Sequence, residues 1–417
     1  MPPQSSTMDR PAVGTARPQR SMVMLVLVLG TLTAVGPLAT DLYLPAFPAI
    51  AGDLGATESQ ISLTLTAAMV GLAVGQLVIG PMSDAWGRRT PLLIGVIAFT
   101  VSSVLCMFVP DATSFIALRF VQGIAGAAGA VISRAIARDH FDGDSIARFF
   151  SRLVLVSMLA PLLGPVIGAQ LLLVGPWQLG FAVLAAVSAL SLVLIYFFLP
   201  ESLPAHERRP MNGRQLFTTI GGLLRDARFI GPTLTLGLGF GMMFTYIANF
   251  SFVSQNQFGA SAQEFSAMFA INTVGLLLGT QINAFLIGKV STSRRLAGGL
   301  IGAIAAVAAL AVLDVTGTAS LVSMTAAFFI MMLSNGFIFP NASTMSLASQ
   351  PPAVAGTASA LMGTLQFALG GGLSAAATLT KSGQVSLDSM VVVMLAVAVA
   401  AGAVFVYSQR RAARYAI

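Results

Sequence analysis

Two ionisable side chains stand out because of the apolar sequence around them. Asp41 closes the first long apolar stretch, in Thr40-Asp41-Leu42-Tyr43-Leu44-Pro45, and Arg119 is the one base set comparably deep in another. An ionisable group in hydrocarbon is costly, usually faces the interior of a helix bundle, and marks a functional site. Desolvation favours the proton-bound form of a carboxylate, and a nearby guanidinium pulls it back towards ionisation. If Asp41 faces Arg119, entry of cargo or solvent could switch its proton. That chemistry calls for no cofactor, with the proton itself as the coupling ion.

The elements that must hold such a pair are membrane helices. Hydrophobic residues make up 56% of the 417 positions and charged residues 9%, against about 25% charged in soluble domains. The mean hydropathy is +0.86. Runs such as Ile61 to Ser83 and Leu321 to Asn341 reach the ~18 residues that mark a spanning helix, whereas β-barrels need short alternating segments. Twelve spans are expected, at about 22–44, 61–82, 91–109, 114–136, 148–173, 179–199, 229–253, 263–288, 297–314, 319–343, 355–380 and 387–408.

The sequence pI of about 10.3 reports topology, not a nucleic-acid partner. Arginines and lysines cluster before the first span and in alternate links, as at Arg88-Arg89, Arg134 to Arg152, Arg208 to Arg228, Lys289 to Arg295 and Arg410 to Arg414. The intervening links carry mainly acids, namely Asp53, Glu58, Asp111, Glu264, Asp314 and Asp388. This positive-inside pattern predicts both termini in the cytoplasm. Cys106 is the single cysteine, so no disulfide framework is expected, and His140 and His206 are too few for a metal site. No catalytic arrangement is visible either. The expected organisation is a cytoplasmic tail (1–21), a six-helix bundle (22–199), a cytoplasmic linker (200–228), a second six-helix bundle (229–408) and a cytoplasmic tail (409–417).

The halves resemble each other faintly: Gly75 to Gly80 before Arg88-Arg89 echoes Gly279 to Gly288 before Arg294-Arg295. Repeated halves suggest alternating access to a midplane site. In the first half, Gly75 and Gly80 are of a size that permits close helix contact, Gly87 suits a tight turn, and Asp84 can accept bonds from Arg88. Pro161 and Pro165 each remove an internal backbone bond and predict a bent helix, while Gly164 and Gly168 predict tight packing. In the second half Gly288 stands where Asp84 would be, which predicts a lopsided gate.

The stretch Gly75 to Pro91, with Asp84, Gly87, Arg88 and Arg89, resembles the loop signature of the major facilitator superfamily. Arg119-Phe120-Val121-Gln122-Gly123 is similar to that family's arginine motif, and Ala160 to Gly168 to the Gly-Pro motif of its drug/proton antiporters. The Asp41 segment and Ala355 to Leu361 narrow the likeness to the bicyclomycin-resistance and chloramphenicol/florfenicol exporter group. The resemblance implies an all-α fold of twelve transmembrane helices in two pseudo-symmetric bundles. It implies proton coupling by Asp41 and Arg119, and a conformational gate from Gly75, Gly80, Asp84, Gly87, Arg88, Arg89 and Asp139. It assigns Pro161, Gly164, Pro165 and Gly168 to a seal against proton leak.

Candidate cavity residues are Tyr43, Met158, Phe240, Met243, Phe244, Tyr246, Asn249, Asn272, Asn335 and Gln366, since Met and aromatic side chains adapt to varied apolar ligands and a few amides orient them. A packing stripe is the competing reading of the aromatic set. The expected activity is export of amphiphilic neutral or weakly cationic small molecules, such as amphenicol- or bicyclomycin-like drugs, in exchange for protons. A transporter of a native metabolite with incidental drug export is the alternative. An enzyme is not expected, and no filter-like repeat suggests a channel. The expected setting is a bacterial cytoplasmic (inner) membrane, with lipid and a small-molecule substrate as partners, and a monomer.

Overall fold

A computed structural model describes residues 22–140, 143–208, 213–351, 354–378 and 383–414. The expected tail 1–21 lies outside the described residues. Among them the chain forms fourteen α-helices and no strand. They are α1 (Met22–Asp41), α2 (Phe47–Asp53), α3 (Glu58–Trp86), α4 (Arg89–Cys106), α5 (Ala112–His140), α6 (Gly143–Val174) and α7 (Gln178–Phe198). After the linker come α8 (Gly213–Arg225), α9 (Ala227–Phe252), α10 (Ala262–Phe285), α11 (Thr292–Val315), α12 (Leu321–Ala348), α13 (Ala355–Ala376) and α14 (Leu387–Arg414). Twelve of these are long, and nine of the described helices are long and apolar enough to cross a membrane. Large apolar side chains, among them Val101, Leu190, Phe197, Ile301 and Val322, lie exposed on their outer faces. Lipid as solvent accounts for a surface that water would penalise.

Each long helix overlaps an expected span, and several run on past the apolar run that predicts them. The extra turns are polar and capped. The Thr57 hydroxyl accepts from the Gln60 N–H while the Gln60 side chain accepts from the Thr57 N–H, and Ser261 pairs with Glu264 in the same way. Such boxes satisfy backbone donors left open at a helix start, so the helix need not stop where hydrocarbon stops.

The first span is different. It was expected to run through Leu44, but α1 ends at Asp41, a 3-10 turn spans Leu44–Ala46, and α2 follows at Phe47. Pro45 and Pro48 explain the break: each lacks the N–H that would continue the ladder. Asp41 therefore sits at a helix end, beside backbone that a continuous helix would have consumed.

Within the first six long helices, α3 packs along α5, α4 lies between α5 and α7, and α1 touches α5, α6 and α7. Within the last six, α9 touches α12, α13 and α14, while α10 and α11 pack on α12. Two seams join the groups, α3 with α13 and α6 with α10. Nearly all of α9 is buried, including a continuous run from Phe240 to Val253.

Candidate functional site

Asp41 is buried, and it is the only buried carboxylate among the described residues. The helix that covers it is α6, and the fit depends on missing side chains. A methyl group built on Gly164 would lie 3.0 Å from Asp41 Cβ and 3.4 Å from Leu42 N. One built on Gly168 would collide with the Leu42 carbonyl oxygen. The Gly-Pro stretch thus lies directly on the break after α1, where the acid is. Sequence alone shows the two motifs more than a hundred residues apart, with no sign that they touch.

The same helix reaches the other half. Ser266 of α10 donates to the Pro165 carbonyl at 2.9 Å, and Gln263 donates to the Ala169 carbonyl at 3.2 Å. From α9 in the second half, Ser251 donates to the Leu44 carbonyl at 2.6 Å, three residues past Asp41. The acid therefore lies where α1, α6 and the second half converge.

Arg119 is fully buried in α5. Its guanidinium donates to the Ala39 carbonyl at 2.9 Å and to Gln122 Oε1, and lies 4.4 Å from the centre of the Tyr43 ring. Gln122 in turn donates to Ser103 at 2.7 Å. Stacking on an aromatic face is worth about 2 kcal/mol once desolvated. The expected facing of Asp41 and Arg119 does not take the form of an ion pair here. Ion pairs form instead at Arg88, with Asp84 and Asp139, and between His206 and Glu207. Arg119 instead neutralises the open carbonyl end of α1, two residues before the acid, leaving its own Nε without a partner.

At the arginine-rich end, Arg88 bonds Asp84, Asp139 (3.1 Å) and Ser83 (3.0 Å). Burial works against the Arg88 charge, but the bond to Asp84 and the charges of Asp139 and Asp84 outweigh it and hold the guanidinium above its ordinary range. Ser202 donates to Asp139 at 2.7 Å. Glu201 accepts from the N–H groups of Arg88 (2.7 Å) and Arg89 (3.1 Å), and Arg89 donates to the Tyr196 carbonyl. Every one of these partners lies in the first six long helices or just after α7. The cluster ties the α3–α4 turn to α5, the end of α7 and the linker.

Bonds between the halves gather at mid-depth and at the opposite end. Ser251 donates to the Leu44 carbonyl (2.6 Å) and Gln255 to the Pro45 carbonyl (3.2 Å). Thr364 donates to the Ala73 carbonyl. Ser62 donates to the Ala248 carbonyl and to Asn249 Oδ1. Asn249, a cavity candidate, is thus held in a seam.

The other candidates divide. Tyr43 shares a hydrogen bond with Thr64 (3.0 Å) and packs edge-on against Phe47, Phe115 and Phe181 beneath Arg119, inside the first half. Phe240 stacks on Phe244 and meets Phe339 and Phe367 from α12 and α13. Met243 is buried on the same helix and Gln366 half-buried on α13. Tyr246 accepts from Asn272 at 2.9 Å within a second aromatic group of Phe250, Phe269 and Phe328. Asn335 is fully buried with neither end of its amide partnered. The Met158 side chain lies outside the described residues. A cavity of about 880 Å³, lined by Pro45, Trp177 and Gln255 among others, opens at the end away from the arginines, and none of these candidates lines it.

Two sequence expectations need correction. Gly75 is a close-approach site, since a methyl there would lie 2.6 Å from Ala127 Cβ, but one on Gly80 would meet only Val131 at an ordinary 3.8 Å. In the second half Gly288 is only a turn glycine at φ 81. The residue that meets Arg295 is Asn283, at 2.9 Å, and Asn341 donates to the same Asn283 oxygen at 2.7 Å. A neutral amide replaces the carboxylates of the first half. The sequence offered a signal for this in Asn283 and Asn341, but matching by linear position selected Gly288.

Comparison with known proteins agrees with this architecture. The family model described as Major Facilitator Superfamily matches residues 29–375. The chain is 38% identical over 363 residues to an uncharacterised transporter of that type, YdgK of Bacillus subtilis, covering 84% of this chain and 87% of the relative. It is 31% identical over 356 residues to the bicyclomycin resistance protein homologue of Haemophilus influenzae, covering 84% and 88%. Its backbone resembles the xylose transporter XylE of E. coli in a partially occluded inward open conformation, with a TM-score of 0.69 at 16% identity over 91% of this chain and 96% of that one. With an all-helical membrane fold, the signature turn at Gly87, a family model over residues 29–375 and relatives that match 84% of its length, the chain belongs to the major facilitator superfamily.

Proposed function

We propose that the protein is a proton-coupled antiporter that exports amphiphilic small molecules by alternating access between its two six-helix halves. The observation that carries this reading is Asp41, the one buried carboxylate among the described residues, covered by Gly164 at the convergence of α1, α6 and the second half. A carboxylate removed from water and without an ion-pair partner holds a proton, and rehydration releases it. Movement of α6 away from Leu42 would rehydrate the acid, so the Gly-Pro helix acts as its lid. The alternating charges of the links support cytoplasmic termini in an inner membrane. The described bonds between the halves then lie at mid-depth and on the outer side.

The cargo is neutral or weakly cationic, because Asp41 and Arg119 are the charges buried at that depth among the described residues. The likeness to a bicyclomycin resistance homologue supports drugs of that size and polarity, amphenicols included. Inverted membrane vesicles carrying the protein should accumulate such a compound when the interior is acidified and lose it on adding a protonophore. Asp41→Asn, which keeps the size but not the titration, should reduce accumulation to the level of empty vesicles. Uphill transport by Asp41→Asn, or transport indifferent to the proton gradient, would refute the assignment.

A further inference from the structure

The seam between α3 and α13 ends at the outer face in a contact that no motif predicts. Glu58 opens α3, where a negative side chain suits the helix N-terminus. Both its carboxylate oxygens are used by the second half. Oε1 accepts from Asn256 Nδ2 at 2.5 Å and Oε2 accepts from the Val385 N–H at 2.7 Å. The next residue adds to the joint. The Ser59 hydroxyl donates to the carbonyls of Thr378 (2.7 Å) and Gly383 (3.0 Å), and its N–H donates to Gly383 at 3.2 Å. Gly383 lies against Thr57 with φ 69, a conformation that glycine adopts without strain.

The other side-chain bonds described across the halves come from uncharged groups, most of them hydroxyls or amides donating to a backbone carbonyl. Among the described residues Glu58 is the one charged side chain bonded across the outer seam. Charge-assisted bonds are roughly twice as strong as neutral ones. A carboxylate that grips the α9 end and the α13–α14 link together holds both ends of the second half that must swing away when the outer side opens.

We propose that Glu58 is the outer latch of the transport cycle, a positioning residue that stabilises the outward-closed state and is released each time cargo leaves. This rests on the alternating-access reading above, but it does not depend on which acid carries the proton. Opening frees the carboxylate to water at the outer face, so the latch costs little to undo and nothing to reset.

The test is a distance measurement on the full chain without cargo or gradient. With Cys106→Ser as background, spin labels on cysteines replacing Thr113 and Val315 would report the outer separation of the halves. Wild-type protein should favour the short distance. Glu58→Ala should move the ratio of long to short populations about tenfold, the equivalent of one charge-assisted bond. Glu58→Gln keeps one acceptor oxygen and should move it part of the way, which guards against misfolding as the cause. Distributions unchanged in both variants would overturn the latch. Because no transport is measured, this failure is distinct from a failure of the Asp41 experiment.

Discussion

At the scale of single residues, contact with Asp41 assigns different weights to glycines that look alike in sequence. Gly168 has no room for a methyl against the Leu42 carbonyl and Gly164 leaves only a tight fit beside Asp41, at 3.0 Å, whereas Gly80 has an open contact at 3.8 Å. Gly168→Ala should therefore push α6 off the acid and cost about 2 kcal/mol, the price of overpacking, with proton-driven efflux falling more than protein yield. Gly80→Ala should change neither. Drug-resistance titration of the two variants at matched expression checks both, and equal phenotypes would count against the lid. Much of this chemistry was legible in the sequence: an acid and a base in oil, and a Gly-Pro run that packs tightly. What was not legible is that the acid and the Gly-Pro run are in contact, and that Arg119 turns to a backbone carbonyl. Those depend on tertiary distance, which residue type does not encode.

Among elements, the link after α7 acts as a brace. Glu201 caps the first N–H groups of α4, donors that a helix leaves open, and Ser202 holds Asp139 beside Arg88. Glu201→Ala should remove two charge-assisted bonds and lower stability by about 2 kcal/mol, read as an earlier thermal unfolding of the purified protein. Disulfide trapping between the α3–α4 turn and the linker should be slower as well. An unchanged melting curve would mean that water replaces the carboxylate at no loss. Element boundaries show where sequence reasoning stops. Long apolar runs marked every long helix, but polar end turns were invisible until their capping boxes were seen. The short helix α2 is too brief to carry a hydropathic signal, and α8 carries only a narrow apolar face of Leu216, Ile220 and Leu223. Pro45 and Pro48 did announce the break after Asp41, although the expected first span ran past it.

For the whole molecule, run length and the alternation of arginines with acids fixed the membrane class. They could not say at which end the halves meet. That is decided by side chains such as Glu58, Ser251 and Ser266, whose polarity reads in sequence as ordinary loop or helix-end chemistry. The account depends on one group at the convergence of both halves changing its proton as cargo binds. The most direct measurement is proton release from purified protein in weakly buffered detergent solution when a saturating transported drug is added. Wild-type protein should release protons in a stoichiometric burst, and Asp41→Asn, binding the same drug, should release none. Equal bursts from both proteins, or no burst from wild type despite binding, would contradict the account.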